Sequence, residues 1–206
     1  MPFSFKEYVE FCHDTGCPRS PEQLLDDYML WDSSLTVSGN AIAAALKADD
    51  VNISVPTVYE YLKYISDACI CDKVPRYDIR GKKVLAFEEK TYVCDLGFFH
   101  LKKNRVKEEY SHIVETICYN ELIARGYQVY IGKTYKGEVD FIAQKGSEKF
   151  YLQAAYLLNN ENTIEREFDA YKAIEDNYPK YVISTDRVPL SRYGIIHMRL
   201  CEWLLS

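Results

Sequence analysis

Long apolar runs are missing. Nowhere in the 206 residues does a stretch approach the ~18 apolar residues that a membrane helix needs. The opening Met1-Pro2-Phe3-Ser4-Phe5-Lys6-Glu7 lacks the basic head and apolar stretch of a secretory signal, so a cytoplasmic protein is expected and a membrane partner is not. Histidine is scarce. His13, His100, His112 and His197 are the only four, and none is spaced with Cys or Asp for zinc or for a catalytic triad. The seven cysteines are odd in number and irregular in spacing. Cys69-x-Cys71 is the closest pair and has no partner pair at zinc-finger spacing, so reduced thiols buried as small hydrophobes are expected. An excess of positive charge is also missing. A net charge of -6 excludes a chain coated in basic residues for phosphate, although not a local basic patch. Finally, there is no Gly-x-x-x-x-Gly-Lys-Ser/Thr. Without that loop no ring of backbone amides cradles nucleotide phosphates, and this chain is not expected to bind ATP.

What is present begins with hydrophobic content. At 48% it supports a packed core, and the length suits one large domain or two small ones. The eighteen tyrosines are an unusual load, read as amphipathic core and rim residues that also offer stacking surfaces.

The first half reads as helices and a hairpin. A short helix covers Ser4 to Cys12 and ends at Gly16 and Pro18. Ser20-Pro21-Glu22 supplies an N-cap with proline at the first helical position of a helix to about Trp31. A helix spans about Gly39 to Ala48, and Ser54-Val55-Pro56-Thr57 starts another, with Val58, Tyr61, Leu62 and Ile65 on one face. Strands follow at Ala68 to Tyr77, Lys83 to Phe87 and Thr91 to Cys94, with Asp78-Ile79-Arg80-Gly81-Lys82 as the turn. Helices followed by a β-hairpin are the order of a winged helix-turn-helix.

In the second half, Leu101 to Glu109 is charged and reads as a linker. A long helix, Glu109 to Arg125, is closed by Gly126. Strands are expected at Tyr127 to Lys133, Glu138 to Gln144 and Lys149 to Tyr156, a helix at Thr163 to Asp176, strands at Lys180 to Ser184 and Gly194 to Arg199, and a short helix at Cys201 to Leu205. Two polar groups interrupt apolar strands: Asp140 within Gly137-Glu138-Val139-Asp140-Phe141, and Gln153 within Phe150-Tyr151-Leu152-Gln153-Ala154-Ala155. Glu115 lies on the helix ahead of them, twelve residues before Tyr127.

Helix glutamate, strand aspartate, then a Glu/Gln-x-Lys strand is the layout of the restriction-endonuclease-like, or PD-(D/E)XK, nucleases, which this segment resembles. The expected fold is therefore α+β or α/β: an N-terminal winged helix-turn-helix followed by a restriction-endonuclease-like α-β-β-β-α-β domain. Such a centre uses carboxylates to hold Mg²⁺ against the scissile phosphate and a lysine to help activate water. The resemblance makes Glu115, Asp140 and Gln153 the catalytic positions and Asp140 the metal ligand. The lysine position is Ala155, so the centre is expected to be degenerate and inactive. Mg²⁺ is the cofactor implied if the site is filled, and Lys133 or Lys149 is the candidate for a displaced lysine.

A second resemblance covers nearly the whole chain. Lys90-Thr91-Tyr92-Val93-Cys94-Asp95-Leu96-Gly97, Gly126-Tyr127-Gln128-Val129-Tyr130-Ile131-Gly132-Lys133, Gly137 to Phe141, Arg166-Glu167-Phe168 and Asn177-Tyr178-Pro179-Lys180-Tyr181-Val182 resemble the C-terminal domain of unknown function that follows the ATPase module in a family of bacterial and archaeal AAA-type ATP-binding proteins. Thr57 to Leu62 and Val74 to Lys82 match the winged-helix part, and Pro2 to Tyr8 is similar to the segment that closes the ATPase module. The implied division is 1–18 for that remnant, 19–100 for the winged helix, 101–108 for the linker and 109–206 for the nuclease-like domain. The missing ATPase module is an implied partner, and a homo-oligomer is compatible with the sequence.

DNA is the other expected partner. The third helix of a winged helix enters the major groove, but here it offers only Thr57, Glu60, Lys63 and Tyr64, which is meagre for base readout. The hairpin is richer: Lys73, Arg76, Arg80, Lys82 and Lys83 against the single acid Asp78. Together with Lys63 these are the candidate nucleic-acid contacts. Three readings follow: a nucleic-acid-associated or regulatory part of an ATPase with an impaired nuclease frame, an active metal-dependent nuclease with a displaced lysine, or a protein-interaction module.

Overall fold

Polar punctuation fixes the helix starts. Ser20 and Gln23 exchange hydrogen bonds as a capping box, with the Ser20 N–H donating to Gln23 Oε1 at 3.0 Å and the Gln23 N–H to Ser20 Oγ at 3.4 Å. Pro21 follows where its missing N–H costs nothing. Ser54 Oγ accepts from the Thr57 N–H at 3.3 Å, and Asn160 Oδ1 from the Thr163 N–H at 2.9 Å, each satisfying an orphan donor of a first helical turn.

The structure, a computed structural model, describes residues 5–14, 18–30, 39–48, 51–68, 70–94, 107–158 and 160–206. Four helices come first: α1 Phe5–Asp14, α2 Pro21–Leu30, α3 Gly39–Ala48 and α4 Val55–Asp67. The hairpin is β1 Cys71–Asp78 with β2 Lys83–Val93. Then come α5 Lys107–Ala124, β3 Gln128–Lys133, β4 Glu138–Lys145, β5 Glu148–Ala154, α6 Glu161–Asp169 with a 3₁₀ turn at Ala170–Ala173, β6 Lys180–Ser184, β7 Ile196–Arg199 and α7 Leu200–Leu205. The chain is thus a mixed α+β protein. No described helix is long and apolar enough to cross a membrane.

The seven strands of the described residues form one mixed sheet in the order β2-β1-β3-β4-β5-β6-β7. The hairpin is not set apart: β1 joins β3 in parallel at Arg76 to Asp78. The expected linker, 101–108, lies outside the described residues up to 106, and Lys107 and Glu108 already belong to α5. One face of the sheet holds Val129, Ile131, Phe141, Phe150 and Leu152 against α1, α2, α5 and α7. The other holds Val139, Ile142, Tyr151 and Val182 against Ile164 and Phe168 of α6 and Tyr171 of the 3₁₀ turn. This division is the period-two alternation of strands buried on both faces.

Three elements depart from the sequence reading. The strands expected at 83–87 and 91–94 are one strand, β2, broken in register: Pro75 faces Glu89 and Tyr77 faces Val84, so several β2 residues bulge between them. The helix expected to Asp176 stops at Asp169 and tightens into the 3₁₀ turn. On α4, Val58 is buried as expected, but Tyr61 and Ile65 are 55% and 38% exposed. The helix packs through a narrower stripe than its apolar spacing suggested.

Candidate functional site

A β-bulge in β4 builds the site. Tyr130 pairs with Ile142 and Gly132 with Val139, so β4 spends one residue more than β3 over that interval, and the extra length falls at Asp140-Phe141. A bulge bends its strand and re-aims a side chain. Close packing supports it from below, because a Cβ on Gly132 would lie 3.1 Å from Ile79 Cδ1 and 3.2 Å from Val139 Cβ.

The regular β4–β5 ladder starts at Phe141 opposite Leu152. Beyond it side chains take over the backbone bonds. Asp140 Oδ2 accepts from the Ala154 N–H at 2.8 Å, and the Asp140 N–H donates to Gln153 Oε1 at 3.1 Å. Gln153 Nε2 donates in turn to Glu167 Oε2 at 2.8 Å. Glu167 is buried on α6, and its Oε1 accepts from Arg166 Nη2 at 2.7 Å. Gln153 therefore bridges strand and helix, and its two ends demand an acceptor on one side and a donor on the other.

Glu115 arrives from α5 on the other side, 7% exposed. Its Oε1 accepts from Lys90 Nζ at 3.1 Å and from the Tyr92 hydroxyl. His112 Nδ1 stands 3.7 Å from Oε2. Lys90 Nζ also lies 3.6 Å from Glu138 Oε2, and Arg76 Nε donates to Glu138 Oε1 at 2.7 Å. Lys90 and Tyr92 are two apart on β2 and so share a face.

Of these groups, His112, Glu115, Glu138, Asp140, Gln153, Arg166 and Glu167 line a cleft of about 550 Å³, while Arg76, Lys90 and Tyr92 stand outside its lining. Its floor holds Glu115, Glu138, Asp140, Gln153 and Glu167, and its rim adds His112, Thr134, Lys136, Thr163, Arg166, Asp169 and Lys172. The electrostatics are uneven. Burial pushes the Asp140 carboxyl well above the ordinary aspartate range, with the Glu115 charge adding to the push. Burial also works against the Glu115 carboxylate, but the bonds from His112, Lys90 and Tyr92 outweigh it and hold Glu115 below the ordinary glutamate range. Burial opposes the Lys90 charge too, yet Glu115, Asp140 and Glu138 overcome it and hold the ammonium more firmly protonated than usual. With Asp140 held toward its neutral form, Glu115 and Glu138 are matched by Lys90 and Arg76.

The residues do not fit a bound divalent ion. Among the described residues no three His, Cys, Asp or Glu side chains converge closely enough to hold a metal. Glu115, Glu138 and Asp140 each already have a carboxylate oxygen bonded to a protein donor.

The structure brings Glu115, Asp140 and Gln153 to one cleft, from three separate elements. Ala155, at the lysine position, is buried beneath α6. Lys149, a candidate displaced lysine, lies at the far end of β5. There its Nζ is 4.7 Å from the ring centroid of Tyr178 and 5.0 Å from that of Tyr151, and 3.9 Å from Asp176. Lys133 faces Glu138 in the β3–β4 register. Of the hairpin set, Arg76 is committed to Glu138, Lys73 is half-buried, and Arg80, Lys82 and Lys83 are exposed around the turn, as is Lys63 on α4. The turn is closed by Asp78 Oδ1, which accepts from the Arg80 and Gly81 N–H groups at 3.1 and 3.0 Å.

Sequence reasoning missed Lys90, Tyr92, Glu138 and Glu167. Glu138 was findable, because it stands two residues before Asp140 at the start of the same strand. Lys90 was hidden because Glu88-Glu89-Lys90 reads as a break between strands. His197 is engaged through both ring nitrogens: Nδ1 accepts from the Leu190 N–H at 3.3 Å, leaving Nε2 for Ser184 Oγ at 2.8 Å.

Two relatives are similar to this chain. An uncharacterized protein of Haemophilus influenzae is 34% identical over 171 residues, covering 82% of this chain and 42% of that protein. An uncharacterized protein of Methanocaldococcus jannaschii is 33% identical over 145 residues, covering 68% of this chain and 32% of that protein. The chain spans less than half the length of these curated relatives. No family model and no solved structure matches it.

Proposed function

We propose that this chain is a nucleic-acid-associated module: a winged-helix start joined to a restriction-endonuclease-like frame that holds a phosphodiester backbone without cutting it, as the C-terminal part of a larger AAA-type ATP-binding protein. The observation that carries this reading is the meeting of Glu115, Asp140 and Gln153, from α5, β4 and β5, on the floor of one cleft. The rim supports it. Lys136, Arg166 and Lys172 stand along it with Asp169, which pairs with Lys172 at 2.7 Å, and the exposed cations are the groups that a polyanion passing above would meet. Ala155 in place of lysine is the reason cleavage is not expected. Relatives more than twice the length of the matched segment suit a part that works beside a further module.

Binding of duplex and single-stranded DNA, followed by fluorescence anisotropy at several salt concentrations, tests this. Each phosphate contact contributes about 0.9 to the slope of log affinity against log salt. Changing Lys136, Arg166 and Lys172 together to alanine is expected to lower the slope by about 2–3. An unchanged slope removes the cleft from the interface. A second reading, docking to protein alone, has the exposed face of α4 behind it, where Tyr59, Tyr61 and Tyr64 are 47%, 55% and 63% exposed. Absence of DNA binding at low salt selects that reading.

A further inference from the structure

The cleft floor concentrates acids, and something must compensate them. Glu115, Glu138 and Asp140 come from two elements, and Glu167 from a third. Glu167 has its own guanidinium in Arg166. Glu138 has Arg76. What is left is Glu115 and Asp140, and Lys90 stands between Glu115 and Glu138, 3.1 Å from the first and 3.6 Å from the second.

Lys90 does not stand where a nuclease lysine would. That position, two residues past Gln153 and just beyond the end of β5, is Ala155. Lys90 reaches in from β2, where it pairs with Val74 in the regular ladder that ends at the register break. Its side chain is 19% exposed, so the ammonium is drawn out of bulk water and held by carboxylates. Tyr92, on the same face of β2, ties the same Glu115 oxygen. One strand therefore supplies a charge and a hydrogen bond to one Glu115 oxygen, while His112 of α5 stands 3.7 Å from the other.

Resting on the nuclease-frame reading above, we infer that Lys90 is the resident cation beside this cleft: bonded to Glu115 and paired with Glu138, it holds those carboxylates apart, so that with it in place they do not converge on Mg²⁺ or Mn²⁺. The hairpin thereby disarms the centre it joins. A divalent ion entering a cluster already balanced by Lys90 and Arg76 would have to expel the ammonium or bring an excess of positive charge into a half-buried site.

Metal binding tests this without nucleic acid, so it stands or falls apart from DNA association. The free-Mn²⁺ electron paramagnetic resonance signal is titrated against protein, and the melting temperature is followed with and without millimolar Mn²⁺. The wild type is expected to leave the signal and the melting temperature unchanged. Lys90→Met, which keeps the apolar stem and removes the charge, is expected to bind Mn²⁺ and to melt higher in its presence. Adding Asp140→Asn to that variant should abolish the uptake, and Lys90→Arg should behave as wild type. Wild-type uptake that is lost in Asp140→Asn overturns the inference and makes Lys90 a neighbour of a working metal. A folded Lys90→Met that takes up no more Mn²⁺ than wild type overturns it too. If Lys90→Met does not fold in the absence of metal, recovery of its circular dichroism spectrum by Mn²⁺ supports the inference. Failure to recover contradicts it.

Discussion

Asp140 and Gln153 are bonded where their strands part: the Asp140 backbone N–H donates to the Gln153 side-chain oxygen at 3.1 Å. The other end of the same amide donates to Glu167 at 2.8 Å. A glutamate at 153 would keep the first bond and turn the second into carboxylate against carboxylate. Gln153→Glu, the change that would restore a stronger metal ligand, is therefore expected to destabilise by about 1–3 kcal/mol near neutral pH, the cost of leaving a buried polar group unpaired. The double variant Gln153→Glu with Glu167→Gln restores a donor opposite an acceptor and should recover most of the loss. A denaturant-unfolding double-mutant cycle measures this. Additive losses would mean that the two side chains do not bond.

Asp140 gives a pH signature. Its folded pKa is raised, first by burial and then by Glu115. A raised carboxyl favours the folded state while it is protonated, below the unfolded value near 3.9, and that contribution is lost as pH rises through the folded value. Asp140→Asn keeps an acceptor for the Ala154 N–H and removes the charge. It should melt higher than wild type near neutral pH, by ~2–4 °C for each kcal/mol gained in a chain of this size. The advantage should vanish below about pH 4. A lower melting temperature at neutral pH would show that the charge itself is needed.

His197 gives the opposite one. Burial depresses its pKa, and its two ring nitrogens are engaged by Leu190 and Ser184. A depressed histidine contributes stability above the unfolded value of about 6.5, and the contribution falls as pH drops through the folded value. His197→Gln should therefore flatten the loss of stability below about pH 6, as read by urea midpoints across pH. A midpoint profile parallel to wild type would exclude His197 as the cause.

The exposed turn of the hairpin can be separated from the cleft. Arg80, Lys82 and Lys83 ring a turn locked by Asp78, and changing all three to alanine removes charge without touching the core. If they lie on phosphates, the salt slope of DNA binding should fall by about 2–3 and affinity should fall alike for unrelated sequences, since phosphate contacts carry no base information. Anisotropy with two unrelated duplexes decides. An unchanged slope assigns the hairpin turn to another partner.

Much of this fold can be read from sequence, because caps and periodicity are local. Ser20, Ser54 and Gly126 mark helix ends, and β6 at Lys180–Ser184 has its expected bounds. Asp140 and Gln153 stand out because a polar residue inside an apolar strand is costly unless it has a partner, and Glu115 because it lies on the helix ahead of them in the nuclease-like layout. The partners were harder. Glu167 looks like an ordinary charge on an amphipathic helix, and only the third dimension turns it toward Gln153. Lys90 depends on the pairing of β2 with β1 and on the parallel joining of β1 to β3, the second a non-local pairing. A hairpin read as a separate wing gave no reason to bring its lysine to Glu115.

The central claim is that the cleft holds nucleic acid without cutting it, and one native gel tests it most directly. Supercoiled plasmid is incubated with the chain in Mg²⁺ or Mn²⁺ at low salt. Half of each sample is run intact and half after protease treatment. The account predicts a mobility shift that the protease reverses to fully supercoiled plasmid. Nicked circles that appear with wild type and disappear with Asp140→Ala would contradict it.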